Sequence, residues 1–271
     1  MNISNYLPFG LLQLVTRWIG GFRSQEQLGL ISPAWYAYGL LSAADHAANV
    51  GVKSIWALEF GVASGRGLRR LKAIADEVGK LTGIEIRIAG FDTGSGMPQP
   101  LDYRDHPERY QPGDFKMHDF DGLKSDLGNS VLLIIGDIAD TIDKFSSQLD
   151  GGCPVGFIAV DVDTYSAAKS ALKLFESDSN NFLPFTFVYF DDSGGRTHFN
   201  KFCGELLAIE EFNKHWDMKK LDVDRGVWNS HRRLGPQVWY ERMYVAHIFD
   251  HPWRFRKTDR PRKVLPERLA S

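Results

Sequence analysis

The chain has 271 residues, 43% of them apolar and 24% charged, with a formal net charge of −2. That supports one large core, and it excludes a global electrostatic field that would recruit nucleic acid or an anionic membrane. Its two cysteines, Cys153 and Cys203, are spaced for neither a zinc knuckle nor a disulfide framework, so a reducing cytoplasm is the expected setting.

The N-terminal run YLPFGLLQLVTRWIGGF lacks a basic leader, is interrupted by Arg17 and is too short to span a bilayer. It reads as an amphipathic helix for docking or dimerisation, ahead of a peripheral membrane contact, and a homodimer is compatible with it. Pro33 to Val50 predicts a helix with a proline at its start, whose Trp35, Tyr36 and Tyr38 serve the core or roof a pocket.

The stretch SIWALEFGVASGRGLRRL, Ser54 to Leu71, organises the rest. An apolar strand from Ile55 to Phe60 carries Glu59 near its end, breaks into Gly61, Ser64, Gly65 and Gly67, and leads into a helix over Leu68 to Leu81. Such a loop lets backbone approach a ligand closely and aims unpaired helix N–H groups at it, which suits a nucleoside-bearing cofactor. The spacing G-x-x-x-G-x-G is neither the dinucleotide fingerprint nor a phosphate loop.

A second strand, Ile84 to Asp92, ends on an acid placed to accept from ribose hydroxyls, or simply to start the turn at Thr93 and Gly94. Ser95 to Pro112 is irregular, and a long irregular insert at this edge is more often functional than inert. A helix over Phe115 to Leu127 precedes the strand SVLLIIGD, whose Asp137 either meets a base amine or caps the helix IADTIDKFSSQL.

The fourth strand, PVGFIAVDVD, runs to Asp163, the helix TYSAAKSALKLFE follows, and the fifth, FTFVYFDD, finishes at Asp192. One β-α-β crossover separates them, so they should be parallel neighbours with their acidic ends side by side. If the fourth strand persists, Asp161 and Asp163 share a face. A helix over His198 to Trp216 and strands over Lys219 to Val227 and Gln237 to Phe249 suggest an antiparallel pair at the edge. The fold expected is therefore α/β, Rossmann-like and doubly wound, with a mostly parallel sheet. Residues 251–271 form a basic tail, read as solvated.

Asp161, Asp163, Asp191 and Asp192 gather at one sheet edge, where like charges repel unless a cation sits among them. Hard oxygen donors favour Mg²⁺, with Mn²⁺ or Ca²⁺ as alternatives. The bland reading makes Asp163 a helix cap and Asp192 a turn former.

The runs GFDTGSGMP, IIGDIADTI, AVDVDTY and VYFDD, across roughly Ile55 to Gly194, resemble the macrocin O-methyltransferase (TylF-like) family of metal-dependent, S-adenosylmethionine-using enzymes. The resemblance implies a seven-stranded sheet in a methyltransferase domain over residues 51–250, with residues 1–50 as a helical segment or lid. It also implies that Gly61, Ser64 and Gly65 serve the methionine part of S-adenosylmethionine, Asp92 the ribose and Asp137 the adenine region, with Glu59 also among the cofactor-binding residues. Asp161, Asp191 and Asp192 would bind the metal and Asp163 would be the general base, with His198 and His231 as runners-up. A metal that binds substrate oxygens orients a hydroxyl and lowers its pKa, leaving a carboxylate to take the proton. The expected activity is O-methylation of a small hydroxylated acceptor, such as a sugar or glycoside. The alternative is a protein that keeps the fold for binding or assembly without turnover.

Overall fold

A computed structural model describes residues 8–231 and 234–256. Most of the basic tail, from residue 257 onward, lies outside them, as does the start of the N-terminal run. Three helices come first: α1 (Phe9–Ile19), α2 (Phe22–Gln27) and α3 (Ala34–Val50). The alternating part follows as β1 (Ser54–Phe60), α4 (Arg66–Thr82), β2 (Glu85–Asp92), α5 (Phe120–Leu127), β3 (Val131–Ile135), α6 (Ile138–Ser146), β4 (Val155–Val160), α7 (Tyr165–Leu172) and β5 (Phe182–Phe190). It closes with α8 (Gly204–His215), β6 (Lys219–Val223), α9 (Val227–Ser230) and β7 (Met243–Ile248). No helix among the described residues is long and apolar enough to cross a membrane.

The seven strands form one sheet in the order β3-β2-β1-β4-β5-β7-β6. The first five are parallel, and β7 runs antiparallel to both β5 and β6. All six residues of β4 are buried, as expected of a strand covered on both faces. On one face α3 and α4 pack their Leu40, Ala44, Leu68, Leu71 and Val78 against Ile55, Phe157 and Tyr189. The other face is covered by α6, α7 and α8, with Phe60, Phe91, Phe145, Phe175 and Phe212 in a second cluster. Burial of Leu68, Leu71, Ile74, Ala75 and Val78 at helical spacing fixes which side of α4 meets the sheet.

Helices α1 to α3 do not behave alike. Tyr36 and Tyr38 are core residues on α3, and Trp35 stacks on Tyr189 of β5 at 5.0 Å between ring centroids. None of the three lines the main cavity. On α1, by contrast, Trp18 and Ile19 are each 81% exposed.

Several boundaries differ from the sequence expectation. The helix read over Phe115 to Leu127 starts only at Phe120, where Asp119 accepts from the Gly122 N–H. The helix read from His198 starts at Gly204. The strand read over Lys219 to Val227 stops at Val223, because Asp224 turns its carboxylate onto the Gly226 N–H and the Tyr38 hydroxyl. The strand read over Gln237 to Phe249 begins at Met243. Its partner β5 pairs Tyr189 with Met243 and ends one residue later, so Val238–Arg242 has no ladder to join and forms a 3-10 turn.

The fourth strand was expected to persist through Asp163, and it does not. It ends at Val160; the Asp161 N–H still donates to the Phe60 carbonyl at 2.9 Å, but Asp163 is left-handed with φ of +62°. Asp161 and Asp163 therefore do not share a face by strand alternation.

Candidate active site

The C-terminal ends of β1, β2, β4 and β5 open onto a cavity of about 550 Å³. Glu59, Gly61, Ser64 and Asp92 line it, as do Asp161, Asp163, Asp191 and Asp192. Parallel strands with their crossovers folded onto both faces leave this end of the sheet as the natural crevice.

The glycine loop is set by close approach. Gly61 has φ of +87°, and a Cβ there would drive into the Asp161 carbonyl oxygen, so the exits of β1 and β4 pass each other only because Gly61 has no side chain. Gly65, also left-handed, starts α4 beneath the Leu123 side chain and does not line the cavity. Gly67 lies against Glu59 Oε1, where any Cβ would press on it.

Asp92 holds this loop in place. Its Oδ2 accepts from the Val62 and Ala63 N–H groups at 2.9 and 2.8 Å, and its Oδ1 from the Gly94 N–H at 2.6 Å. Two loops thus share one carboxylate, which also compensates the left-handed Ala63. Glu59 is buried and accepts from the Tyr36 hydroxyl at 3.2 Å; burial, then repulsion from Asp161, pushes its carboxyl well above the ordinary range. Asp137 caps α6 by accepting from the Ala139 N–H at 2.8 Å, and its neighbour Ile138, not Asp137, lines the cavity.

The four acids after β4 and β5 come together, by turns instead of by strand alternation. Enclosure by the cavity walls, then the charges of Asp191, Asp163 and Asp192, push Asp161 well above its ordinary value, although its side chain is open to the cavity. Burial, then the hydrogen bond and charge of Asp192, push Asp163 up to about 7. Asp192 accepts from the Tyr110 hydroxyl at 2.9 Å, and its backbone N–H donates to Glu205 Oε2 at 2.8 Å. Asp191 accepts from the Tyr189 hydroxyl at 2.8 Å and from Arg242 Nη1 at 2.9 Å. The Arg242 Nε and Nη2 groups both donate to the Gly194 carbonyl.

This donor set is all carboxylate, the chemistry that suits a hard divalent cation. Among the described residues no three His, Cys, Asp or Glu side chains already stand in position to ligate one ion. Among the described residues the positive charge paired with the cluster is the Arg242 guanidinium.

Of the two histidines considered for proton transfer, His231 is buried 2.6 Å from Glu26 and packed edge-on to Tyr38 and Trp239, and it does not line the cavity. His198 lies against Arg109 and does not itself line the cavity. Sequence reasoning missed Tyr110, Arg109, Arg196, Arg242 and Glu205. Tyr110 and Arg109 lie in the irregular insert, where no period marks a side chain. An acid in the first turn of a helix, such as Glu205, ordinarily reads as a partner of the helix dipole.

This sheet order, with β7 antiparallel between β5 and β6 and a cavity at the strand exits, is the methyltransferase form of the Rossmann-like fold. No protein-family model and no curated protein matches the chain. Among solved structures it is similar to the calicheamicin methyltransferase CalS11, with a TM-score of 0.53 and 19% identity over 79% of this chain and 78% of that one. It is also similar to the O-methyltransferase NovP, with a TM-score of 0.50 and 14% identity over 71% and 77%. At these identities the likeness is one of fold.

Proposed function

We propose that the chain is an S-adenosylmethionine-dependent O-methyltransferase that acts, with a divalent cation such as Mg²⁺, on a hydroxyl of a small sugar or glycoside acceptor. The observation that carries this reading is a single cavity whose wall joins a glycine loop, tied down by Asp92, to Asp163 and the three other carboxylates of its cluster. The fold shared with CalS11 and NovP supports it.

In this reading the loop from Gly61 to Ser64, with Glu59 beneath it, receives the methionine end of the cofactor. The cofactor supplies an electrophilic methyl group on a sulfonium sulfur. Asp161, Asp191 and Asp192 would hold the cation, which lowers the pKa of a bound hydroxyl. Asp163 takes the hydroxyl proton. It stands beside Asp192 and is the one acid of the four that this metal assignment leaves free to take a proton. Tyr110, bonded to Asp192, ties the insert to the acids.

The test is a screen of hydroxylated acceptors with isotopically labelled cofactor and Mg²⁺, read by product mass, alongside calorimetry of cofactor binding with and without the metal. Cofactor binding with labelled product supports the reading. Binding without transfer to any acceptor favours a non-catalytic binding or assembly role, and no binding at all removes both.

A further inference from the structure

Three arginines line the cavity: Arg66, Arg109 and Arg196. Arg66 begins α4 beside the glycine loop and so belongs to the cofactor end. The other two come from the insert after β2 and the segment after β5, and among the described residues neither forms an ion pair. That is unusual in a cavity with four aspartates, because a free guanidinium near carboxylates pairs with them unless it is held away.

Arg109 is held away. Its guanidinium sits 5.2 Å from the Tyr110 ring centroid and 5.8 Å from that of Phe199, and Nη1 lies against the His198 ring, 3.0 Å from Nδ1, where the unprotonated ring nitrogen accepts from it. Burial, then the charge of Arg109, holds His198 below its ordinary pKa, which suits a neutral ring that accepts. The Arg109 Nε is buried with no partner. A buried donor left unmet is costly, and in a ligand site an acceptor from the ligand can satisfy it. The adjacent residue, Tyr110, reaches Asp192, so one step of backbone separates a guanidinium wall from the carboxylate wall.

Resting on the methyltransferase reading above, we propose that Arg109 and Arg196 form an oxyanion subsite for the acceptor. The acceptor carries a phosphoryl or carboxylate group a few bonds from the hydroxyl that is methylated. A planar guanidinium fork matches both groups. Two cations at the rim also offset the repulsion that four aspartates exert on an anionic acceptor.

The experiment is calorimetry on the full chain, with S-adenosylhomocysteine affinity measured separately from anion binding. Inorganic pyrophosphate and malonate are the anion probes at about 150 mM salt. We expect one of them to bind in the millimolar range or tighter, and the better of the two identifies the group. Arg109→Gln and Arg196→Gln should each weaken it at least fivefold, with S-adenosylhomocysteine affinity unchanged. Lys80→Gln, on the exposed far end of α4, controls for net charge. Arg196 is exposed, so its variant reports on the subsite even if Arg109→Gln folds poorly. Failure of both anions to bind, or equal binding by wild type and both variants, overturns the subsite. Bound S-adenosylhomocysteine with no bound anion leaves the methyltransferase reading standing; a bound anion without it does the reverse.

Discussion

Arg242 Nη1 donates to Asp191 Oδ1 across 2.9 Å, bringing a cation from the turn before β7 to the acids at the end of β5. The pair is largely buried, with Arg242 only 13% exposed. Arg242→Met should leave the acids without their cationic neighbour and destabilise the protein by about 1–3 kcal/mol in chelator. Added Mg²⁺ should raise the melting temperature more in the variant than in the wild type. Equal Mg²⁺ shifts in the two proteins would show that arginine and cation do not share a task.

Asp163→Asn should keep S-adenosylhomocysteine affinity while product formation falls about 10²–10⁴-fold. Single-turnover rates with labelled cofactor decide it, and an unchanged rate removes Asp163 as the base. Asp161→Ala should abolish the response to Mg²⁺ with cofactor affinity nearly intact. Loss of the cofactor first would sink the metal assignment.

Gly61→Ala should cost at least about 2 kcal/mol, because the left-handed backbone and the Asp161 carbonyl both oppose a side chain. Urea unfolding measures the loss, and calorimetry should show cofactor affinity falling with it.

Asp92→Ala should weaken the cofactor through the loop it holds, since three backbone N–H groups lose their acceptor. Amide exchange should speed up at Val62, Ala63 and Gly94 even without cofactor. Unchanged exchange there would return Asp92 to a purely ligand-facing role.

His46 packs against Phe185 and Trp253, and burial, then His251 and Arg254, lower its pKa from 6.5 to about 4. The unfolded chain therefore binds more protons between these values. The stability concerned is fully present above pH 6.5 and is lost as pH falls toward 4, by on the order of 3 kcal/mol. His46→Phe should remove that slope from melting temperature against pH. A slope that survives the substitution assigns it to other groups.

What the sequence made legible was what apolar runs and crossover lengths encode. The five parallel strands and the antiparallel edge pair follow from those runs, and Asp161, Asp163, Asp191 and Asp192 meet at one sheet end because each pair comes directly after such a run. What it hid depends on turns. Asp163 reaches Asp192 through a left-handed residue, which alternation along a strand cannot anticipate. Arg242 sits inside an alternating run, and only the end of β5 explains why that run is a turn there. Tyr110 and Arg109 occupy a stretch where side-chain direction comes from tertiary contacts alone.

The place of β7 bears on how this protein is made. It is the last strand among the described residues, yet it inserts between β5 and β6. On the ribosome β5 therefore keeps a naked hydrogen-bonding edge until residue 248 has emerged, and Arg242 reaches Asp191 only then. A nascent chain stalled before that point carries all four aspartates without that guanidinium.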